Sequence, residues 1–161
     1  MRKVFLAVTL VVVLFGTLIF ADPALTVSGT IALKNTDSGF AFTLDEVKAL
    51  AATSYQVTDP WLGDKLYEGV TLSEILKYVG VPSSAKKVFA ICSDKKEFEI
   101  AYTDAVQFPI MLAYNAKSRA IPASQGGPLK LVYPINDFPQ VLKIYPAENW
   151  AWYVVGIRVE M

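Results

Sequence analysis

After residue 21 the chain alternates short apolar runs with polar turns, which is typical of a sheet-rich domain. The segment from Leu25 to Leu33 alternates apolar and small polar side chains with a period of two, as a half-buried strand does. Further strand-like runs are Val88 to Cys92, Phe98 to Ile100, Ile110 to Tyr114, Leu129 to Tyr133, Val141 to Ile144 and Trp152 to Val159. Because these runs form no repeated strand-helix-strand unit, the pattern predicts an α+β domain with mixed or mostly antiparallel sheets.

Two segments carry the residues that begin a helix. In each, a threonine can cap the backbone of a glutamate three residues later, and the glutamate can reach back to the threonine. The pairs are Thr43 with Glu46 and Thr71 with Glu74. We expect a first short helix that runs to about Ala52 and a second that ends at Gly80. The interval from Tyr55 to Gly69 contains proline, tryptophan and glycine, and it predicts an irregular, functional loop after one short strand.

The first 21 residues have the order of a secretory signal. Arg2 and Lys3 precede the apolar run from Val4 to Phe20, and cleavage is expected after Ala21. The alternative is an uncleaved anchor, the one case in which the protein would contact a membrane. The sequence therefore predicts a signal peptide over residues 1–21, a single domain over 22–161, export as an unfolded chain, and a periplasmic or secreted location.

Composition removes several classes of function. The 15 basic and 15 acidic residues balance and form no basic cluster, which argues against nucleic-acid binding. There is no histidine, so the commonest general base and metal ligand is missing. Cys92 is the only cysteine, so an intramolecular disulfide and a thiolate zinc site are excluded. At the end of a strand, Cys92 is expected to be a small buried side chain, with a reactive thiol as the alternative.

The segment from Ile121 to Tyr133 predicts a stiff turn that leads directly into a buried strand. Gly126 and Gly127 can occupy backbone positions that side chains forbid, and Pro128 fixes one φ angle. Taken alone, these residues favour a tight loop between two strands. Arg119 and Lys130 flank the turn, where they could hold an anion beside its backbone amides or be exposed loop charges.

Five pieces of the chain, in order, resemble the molybdopterin-binding oxidoreductase domain of the sulfite-oxidase family. They are Leu25-Thr26-Val27-Ser28-Gly29, Phe42-Thr43-Leu44-Asp45-Glu46, Tyr67-Glu68-Gly69-Val70-Thr71-Leu72, Ile121-Pro122 and Gly126-Gly127-Pro128-Leu129-Lys130-Leu131-Val132. The resemblance spans roughly Leu25 to Glu160 and implies the family's α+β fold with mixed sheets around a cofactor cleft. It also implies a pyranopterin that holds molybdenum, with a protein cysteine thiolate completing the metal's ligands.

The sequence departs from the family at the positions that would bind the metal and the pterin cofactor. The metal-ligating cysteine should lie between the two capped helices, but Thr53 to Gly69 contains none, and Thr58 or Asp59 cannot replace a soft thiolate. Gln125 stands where the family often has histidine. Lys130 replaces an arginine and cannot give a bidentate grip on phosphate. Export as an unfolded chain would also leave a cytoplasmic cofactor behind, so the sequence favours the absence of molybdopterin.

These observations predict an exported, non-catalytic relative that senses a small-molecule ligand or binds a periplasmic protein partner. The candidate cofactor- or ligand-binding residues are Gln125, Gly126, Gly127, Lys130, Arg119, Trp61 and Trp152, and no catalytic or metal-binding residue is assigned. Trp61, Tyr67, Trp150, Trp152 and Tyr153 form an aromatic set suited to stacking on a flat ligand or to core packing. The alternatives are an oxidoreductase that binds molybdopterin without a protein thiolate, Cys92 as a displaced metal ligand, and a structural subunit with a vestigial cleft.

Overall fold

The structure is a computed structural model that describes residues 22–161. The predicted signal peptide over residues 1–21 lies outside the described residues. Among residues 22–161, no helix is long and apolar enough to cross a membrane.

Ten strands and four short helices alternate along the described chain. In chain order they are β1 (Leu25–Gly29), β2 (Phe40–Phe42), α1 (Leu44–Ala49), β3 (Ala52–Asp59), β4 (Gly63–Thr71), α2 (Leu72–Tyr78), β5 (Lys87–Cys92), β6 (Glu97–Ala101), α3 (Tyr102–Gln107), β7 (Met111–Ala116), β8 (Arg119–Ala120), β9 (Lys130–Val132), α4 (Val141–Ile144) and β10 (Val154–Glu160). Two single 3₁₀ turns, Ala123–Gln125 and Ala147–Asn149, complete the set. The predicted α+β class is confirmed.

The strands form two sheets. One has the order β2-β1-β10-β5-β6, and the other has the order β3-β4-β7-β8, with β9 also paired to β7. The pairs are antiparallel apart from β1 with β10, which run parallel. This is the mostly antiparallel arrangement that the alternating pattern predicts. Apolar side chains from both sheets and from α2 form one buried cluster, for example Val27, Ile157, Leu112 and Ile75.

The two helix starts agree with the sequence analysis. The Thr43 hydroxyl accepts a hydrogen bond from the Glu46 amide, and the Glu46 carboxylate accepts one from the Thr43 amide, so the capping box is complete. Thr71 caps α2 by accepting from the Glu74 amide, but the reciprocal hydrogen bond to the Glu74 carboxylate is absent among the described residues, so this capping box is only half formed. Helix α1 ends at Ala49, earlier than expected, since β3 begins three residues later.

The interval from Tyr55 to Gly69 is not the irregular loop that the sequence analysis expected. It belongs to a regular hairpin of β3 and β4, paired from Ala52↔Val70 to Asp59↔Gly63. Proline and tryptophan occupy only the turn, while odd-numbered residues of β3 face inward in strict alternation, ending with the buried Val57 and Asp59. The period of two therefore outweighs the turn-forming composition in this region.

Two strand predictions also need correction. Strand β1 ends at Gly29 rather than Leu33, because Gly29 has φ +87° and the chain turns there, with the Ile31 amide donating to the Gly29 carbonyl. Residues Val141–Ile144 form one helical turn rather than a strand. In that turn only Val141 is buried, and the Tyr145 amide donates to the Val141 carbonyl.

Candidate functional site

The Gly126-Gly127 turn is as tight as the sequence predicts. Gly126 has φ +94°, and a Cβ atom there would lie 2.6 Å from Cγ of Trp152. A Cβ atom on Gly127 would lie 1.7 Å from the Ile121 carbonyl oxygen, so only glycine fits. The turn therefore brings its backbone directly against the Trp152 side chain before the chain enters β9 at Lys130.

Lys130 lies in the interior, so it is neither the anion-binding residue nor the exposed loop charge that the sequence offered as alternatives. Its side chain is 0% exposed, and its ammonium forms an ion pair with the equally buried carboxylate of Asp59. The ammonium also lies 3.4 Å from the hydroxyl of Tyr67. Lys130 begins β9, where the buried Leu131 and Val132 follow it, and the pairing of β9 with β7 sets the direction of its side chain. A ligand in solution cannot reach its ammonium in this arrangement.

Asp59 organises the turn between β3 and β4. One carboxylate oxygen accepts hydrogen bonds from the backbone amides of Trp61 at 2.8 Å and Leu62 at 3.0 Å. The other accepts from the Tyr67 hydroxyl at 2.7 Å and from Lys130. The carboxylate therefore ties the loop that carries Trp61 to the buried ammonium. We call Asp59, Tyr67 and Lys130 the buried triad.

The environment of the buried triad sets its charges. Burial acts to raise the pKa of Asp59, but hydrogen bonds from Lys130, Tyr67 and the Trp61 amide outweigh it and leave the pKa below its ordinary value. Burial lowers the pKa of Lys130, and the Asp59 carboxylate offsets part of that change. Burial beside the Asp59 carboxylate raises the pKa of the Tyr67 hydroxyl, which stays protonated as a donor. Asp59 and Lys130 are therefore both charged, and their opposite charges neutralise each other inside the protein.

A cavity of about 390 Å³ lies beside Trp152 and is walled by aromatic side chains. They are Trp61, Phe98, Trp150, Trp152 and Tyr153, and we call this cavity the aromatic pocket. Trp61 is 58% exposed, an unusual state for a large apolar side chain. The Lys130 ammonium lies 4.7 Å from the Trp152 ring centroid, so the pocket and the buried triad share one indole. Trp150 is buried, and its Nε1 has no hydrogen-bond partner among the described residues.

Cys92 ends β5 and also lines the aromatic pocket, although its side chain is buried. Burial, aided by the charge of Asp94, raises the pKa of its thiol, which stays protonated at neutral pH. The expectation of a small buried side chain at a strand end is confirmed. The thiol is not prepared to act as a thiolate ligand.

A second cavity of about 540 Å³ lies at the edge of the β3-β4-β7-β8 sheet. Its lining consists of Lys65, Ala116, Lys117, Arg119, Ala120, Pro122 and Gln125, and we call it the basic pocket. Arg119 and Gln125 were predicted to share a site with Trp61 and Trp152. The structure instead divides these residues between two pockets: Pro122 and Gln125 of the turn line the basic pocket, whereas Gly126 packs against Trp152 of the aromatic pocket. Binding by any of them stays a prediction.

Two residues that matter for these sites, Asp59 and Lys65, were not singled out as binding residues, and Tyr67 was named only within the aromatic set. The inward alternation of β3 carried a signal for Asp59, because it places a carboxylate on the buried face, where a charged partner is required. The identity of that partner carried no signal, since Lys130 is 71 residues away in sequence.

The residues present do not fit the metal cofactor that the resemblance implies. The β3-β4 hairpin offers no thiolate, and its buried carboxylate, Asp59, is already saturated by four donors. Lys130, the expected phosphate contact, points into the protein. Among residues 22–161, no group of three histidine, cysteine, aspartate or glutamate side chains is arranged to hold a metal ion.

Comparisons with known proteins agree on the fold. The structure is similar to a chain of the sulfane dehydrogenase SoxCD from Paracoccus pantotrophus, with a TM-score of 0.68 and 18% sequence identity. The match covers 84% of this chain and 37% of that chain, so the likeness shows the fold alone. No protein with a curated description matches the sequence. A family model described as "Oxidoreductase molybdopterin binding domain" matches residues 30–143, well over half of the chain. The chain therefore belongs to the family of oxidoreductase molybdopterin-binding domains.

Proposed function

We propose that this protein is a non-catalytic member of its family that binds a small ligand in the aromatic pocket. The observation that carries the proposal is the buried triad. Asp59 and Lys130 stand in the segments that would serve the family cofactor, yet each satisfies the other in the interior. A buried pair of this kind is costly to separate, so neither residue is free to hold a metal or a phosphate.

The walls of the aromatic pocket support a flat, mainly apolar ligand. Its volume of about 390 Å³ lies within the range typical of small-molecule sites. Ring faces bind other flat systems by stacking, which contributes about 0.5–1.5 kcal/mol per pair beyond the area buried. At the rim, Asp94 pairs with Lys96 at 3.5 Å, which leaves Glu148 as the remaining lining charge. The rim therefore gives little attraction for a multiply charged anion.

The proposal includes the predicted export. A chain threaded out unfolded would meet its ligand, or a periplasmic protein partner, outside the cytoplasm. Mass spectrometry of the secreted form tests this part, because cleavage after Ala21 leaves an N-terminus at Asp22. A mature protein that still begins at Met1 would support the anchor alternative.

The decisive measurement is cofactor content. The full-length gene is expressed in a host that makes molybdopterin, and the purified protein is assayed for molybdenum and for the fluorescence of the oxidised pterin. We expect far less than one equivalent of either. Stoichiometric pterin would overturn the proposal and support the alternative, an oxidoreductase that binds molybdopterin without a protein thiolate.

Ligand binding is tested by a thermal-shift screen against pterins, nucleotides and neutral aromatic compounds. A stabilising compound should lose its effect in Trp61→Ala, which removes an exposed wall of the pocket. Leu142→Ala is the matched control, because Leu142 is a 40% exposed apolar side chain outside the pocket. A compound that stabilises all three proteins equally binds elsewhere. A screen without any such compound would favour a structural subunit.

A further inference from the structure

We propose that the basic pocket is a second binding site, separate from the aromatic pocket, and that it takes a small molecule bearing a phosphate, sulfate or carboxylate group. This inference does not depend on the function proposed above. It rests on how the sheet gathers three cations around one cavity without an acidic residue among its lining residues.

The register of the sheet places the cations on one face. Tyr67 of β4 pairs with Ala116 of β7, and Ala116 pairs with Arg119 of β8, so these side chains lie in one row across the sheet. Lys65 is two residues before Tyr67 on β4, which puts it on the same face. The Lys117 amide donates to the Leu66 carbonyl at 2.8 Å and holds the β7-β8 turn against β4.

The neighbouring carboxylates are directed away from the cavity. Asp64 and Glu68 alternate with Lys65 along β4 and therefore face the other side of the strand. Asp64 accepts a hydrogen bond from the Thr58 hydroxyl at 2.7 Å, and Glu68 accepts one from the Asn115 amide at 3.2 Å.

Within residues 22–161, the three cations of the basic pocket, Lys65, Lys117 and Arg119, form no ion pair. Four other basic residues of the described chain form ion pairs, whereas the remaining six, for example Lys34 and Lys143, form none, so what sets the basic pocket apart is that its three unpaired cations share one cavity. Lys87 pairs with Glu99, and Arg158 pairs with Glu97 and Glu160. Three like charges around one cavity repel each other, and an anion between them would relieve that repulsion.

The opposite wall adds shape and a polar group. Pro122 and Gln125 contribute this wall, and the Pro122 carbonyl accepts from the amides of both Gln125 and Gly127, which fixes its position. The Gln125 side-chain amide can donate to an oxygen of the ligand. Arg119 supplies a planar fork suited to an oxyanion. The volume of about 540 Å³ exceeds that of a bare ion, so the anionic group is expected to belong to a larger molecule.

The inference is tested by calorimetric titration of the purified protein, expressed from the full-length sequence, at constant ionic strength. The probes are inorganic phosphate, sulfate and citrate, which distinguish a tetrahedral oxyanion from a carboxylate ligand. We expect saturable binding of at least one probe. Arg119→Ala and Lys65→Ala should each weaken it about tenfold, since each removes one charge at the ligand. Lys143→Ala is the control, because Lys143 is an exposed cation on α4, outside the pocket.

Each result decides the question. Saturable binding that is lost in the pocket variants and kept in the control supports the site. The inference is wrong if no probe binds saturably at about 10 mM, a concentration far above the affinities of specific sites. It is also wrong if Lys143→Ala weakens binding as much as Arg119→Ala, since binding would then follow net charge rather than the pocket. Arg119 and Lys65 are surface side chains of a formed sheet, so unchanged circular dichroism is expected for every variant.

Discussion

The turn segment 121–128 lines the basic pocket through Pro122 and Gln125 and packs through Gly126 against Trp152, a wall of the aromatic pocket, yet the two pockets balance their charges in opposite ways. Beside the aromatic pocket, the one fully buried cation of residues 22–161, Lys130, has a carboxylate partner and an indole ring 4.7 Å away. In the basic pocket three cations face one cavity and have no carboxylate among the lining residues. The buried charges beside Trp152 are thus neutralised within the protein, whereas the basic pocket has no counter-charge among its lining residues.

This difference shows where a family scaffold can change its chemistry. A buried position tolerates a charge only with a partner, so Lys130 and Asp59 are expected to depend on each other. A solvated edge tolerates unpaired cations at little cost, because water screens them until a ligand arrives. The buried triad is therefore a fixed part of the fold, whereas the basic pocket can gain or lose a ligand without disturbing it.

The largest expected effect comes from breaking the balance beside the aromatic pocket. Lys130→Ala or Asp59→Ala leaves one buried charge without its partner and should lower the free energy of unfolding by about 3–5 kcal/mol. Urea denaturation followed by circular dichroism measures the change.

The double variant Asp59→Asn with Lys130→Met is the matched control. It removes both charges and keeps the side-chain volumes, so it should recover most of the stability. Single variants that cost less than about 1 kcal/mol would show that the pair is not held in the interior, because that is the range of exposed ion pairs.

A smaller effect is expected at the turn itself. Gly126→Ala combines a residue at φ +94° with a Cβ atom 2.6 Å from Cγ of Trp152, so the indole must move. The cost should be about 1–3 kcal/mol, with a shift in tryptophan fluorescence and loss of ligand binding in the aromatic pocket. Gly63→Ala is the control, since Gly63 has φ +70° but its added Cβ atom would meet nothing within 4 Å. Equal fluorescence in the two variants would contradict the contact.

The smallest effect on stability is expected for Trp61→Ala. Trp61 is 58% exposed, and its indole N–H makes only a long hydrogen bond of 3.4 Å to the Ala147 carbonyl. The free energy of unfolding should change by no more than about 0.5 kcal/mol, because exposed side chains contribute little. Thermal denaturation without ligand measures it. A large loss of stability would mean that Trp61 supports the fold by packing, and that its exposed ring is not held in place for a ligand alone.

Local rules predicted much of the fold. The capping pair at Thr43 and Glu46, the turn at Gly126 and the buried strand after it depend on residues close in sequence, and the structure confirms them. The hairpin over Ala52 to Thr71 was missed because the turn-forming residues at its tip led to a loop being predicted for the whole interval. The period-two alternation of inward and outward residues along β3 is the sequence feature that indicated the strand correctly.

The site was harder to predict because it depends on contacts between distant residues. The sequence around a lysine that follows a glycine-rich turn does not indicate which way its side chain points. Whether Lys130 faces solvent or core is set by the pairing of β9 with β7. Arg119 and Trp152 were grouped because both were assigned to the cofactor cleft that the family resemblance implies. The sheet register then placed Arg119 in a different pocket. Neither outcome can be read from spacing along the chain.

The ammonium of Lys130 near the Trp152 ring has a consequence for ligand selectivity. An indole attracts cations through the negative potential of its π system, and a fixed positive charge 4.7 Å from the ring centroid already draws on that potential. A second cation would therefore find Trp152 a poor partner, whereas a neutral, electron-rich ring would be favoured by the same polarisation. We expect the aromatic pocket to discriminate against organic cations of the same shape as its ligand.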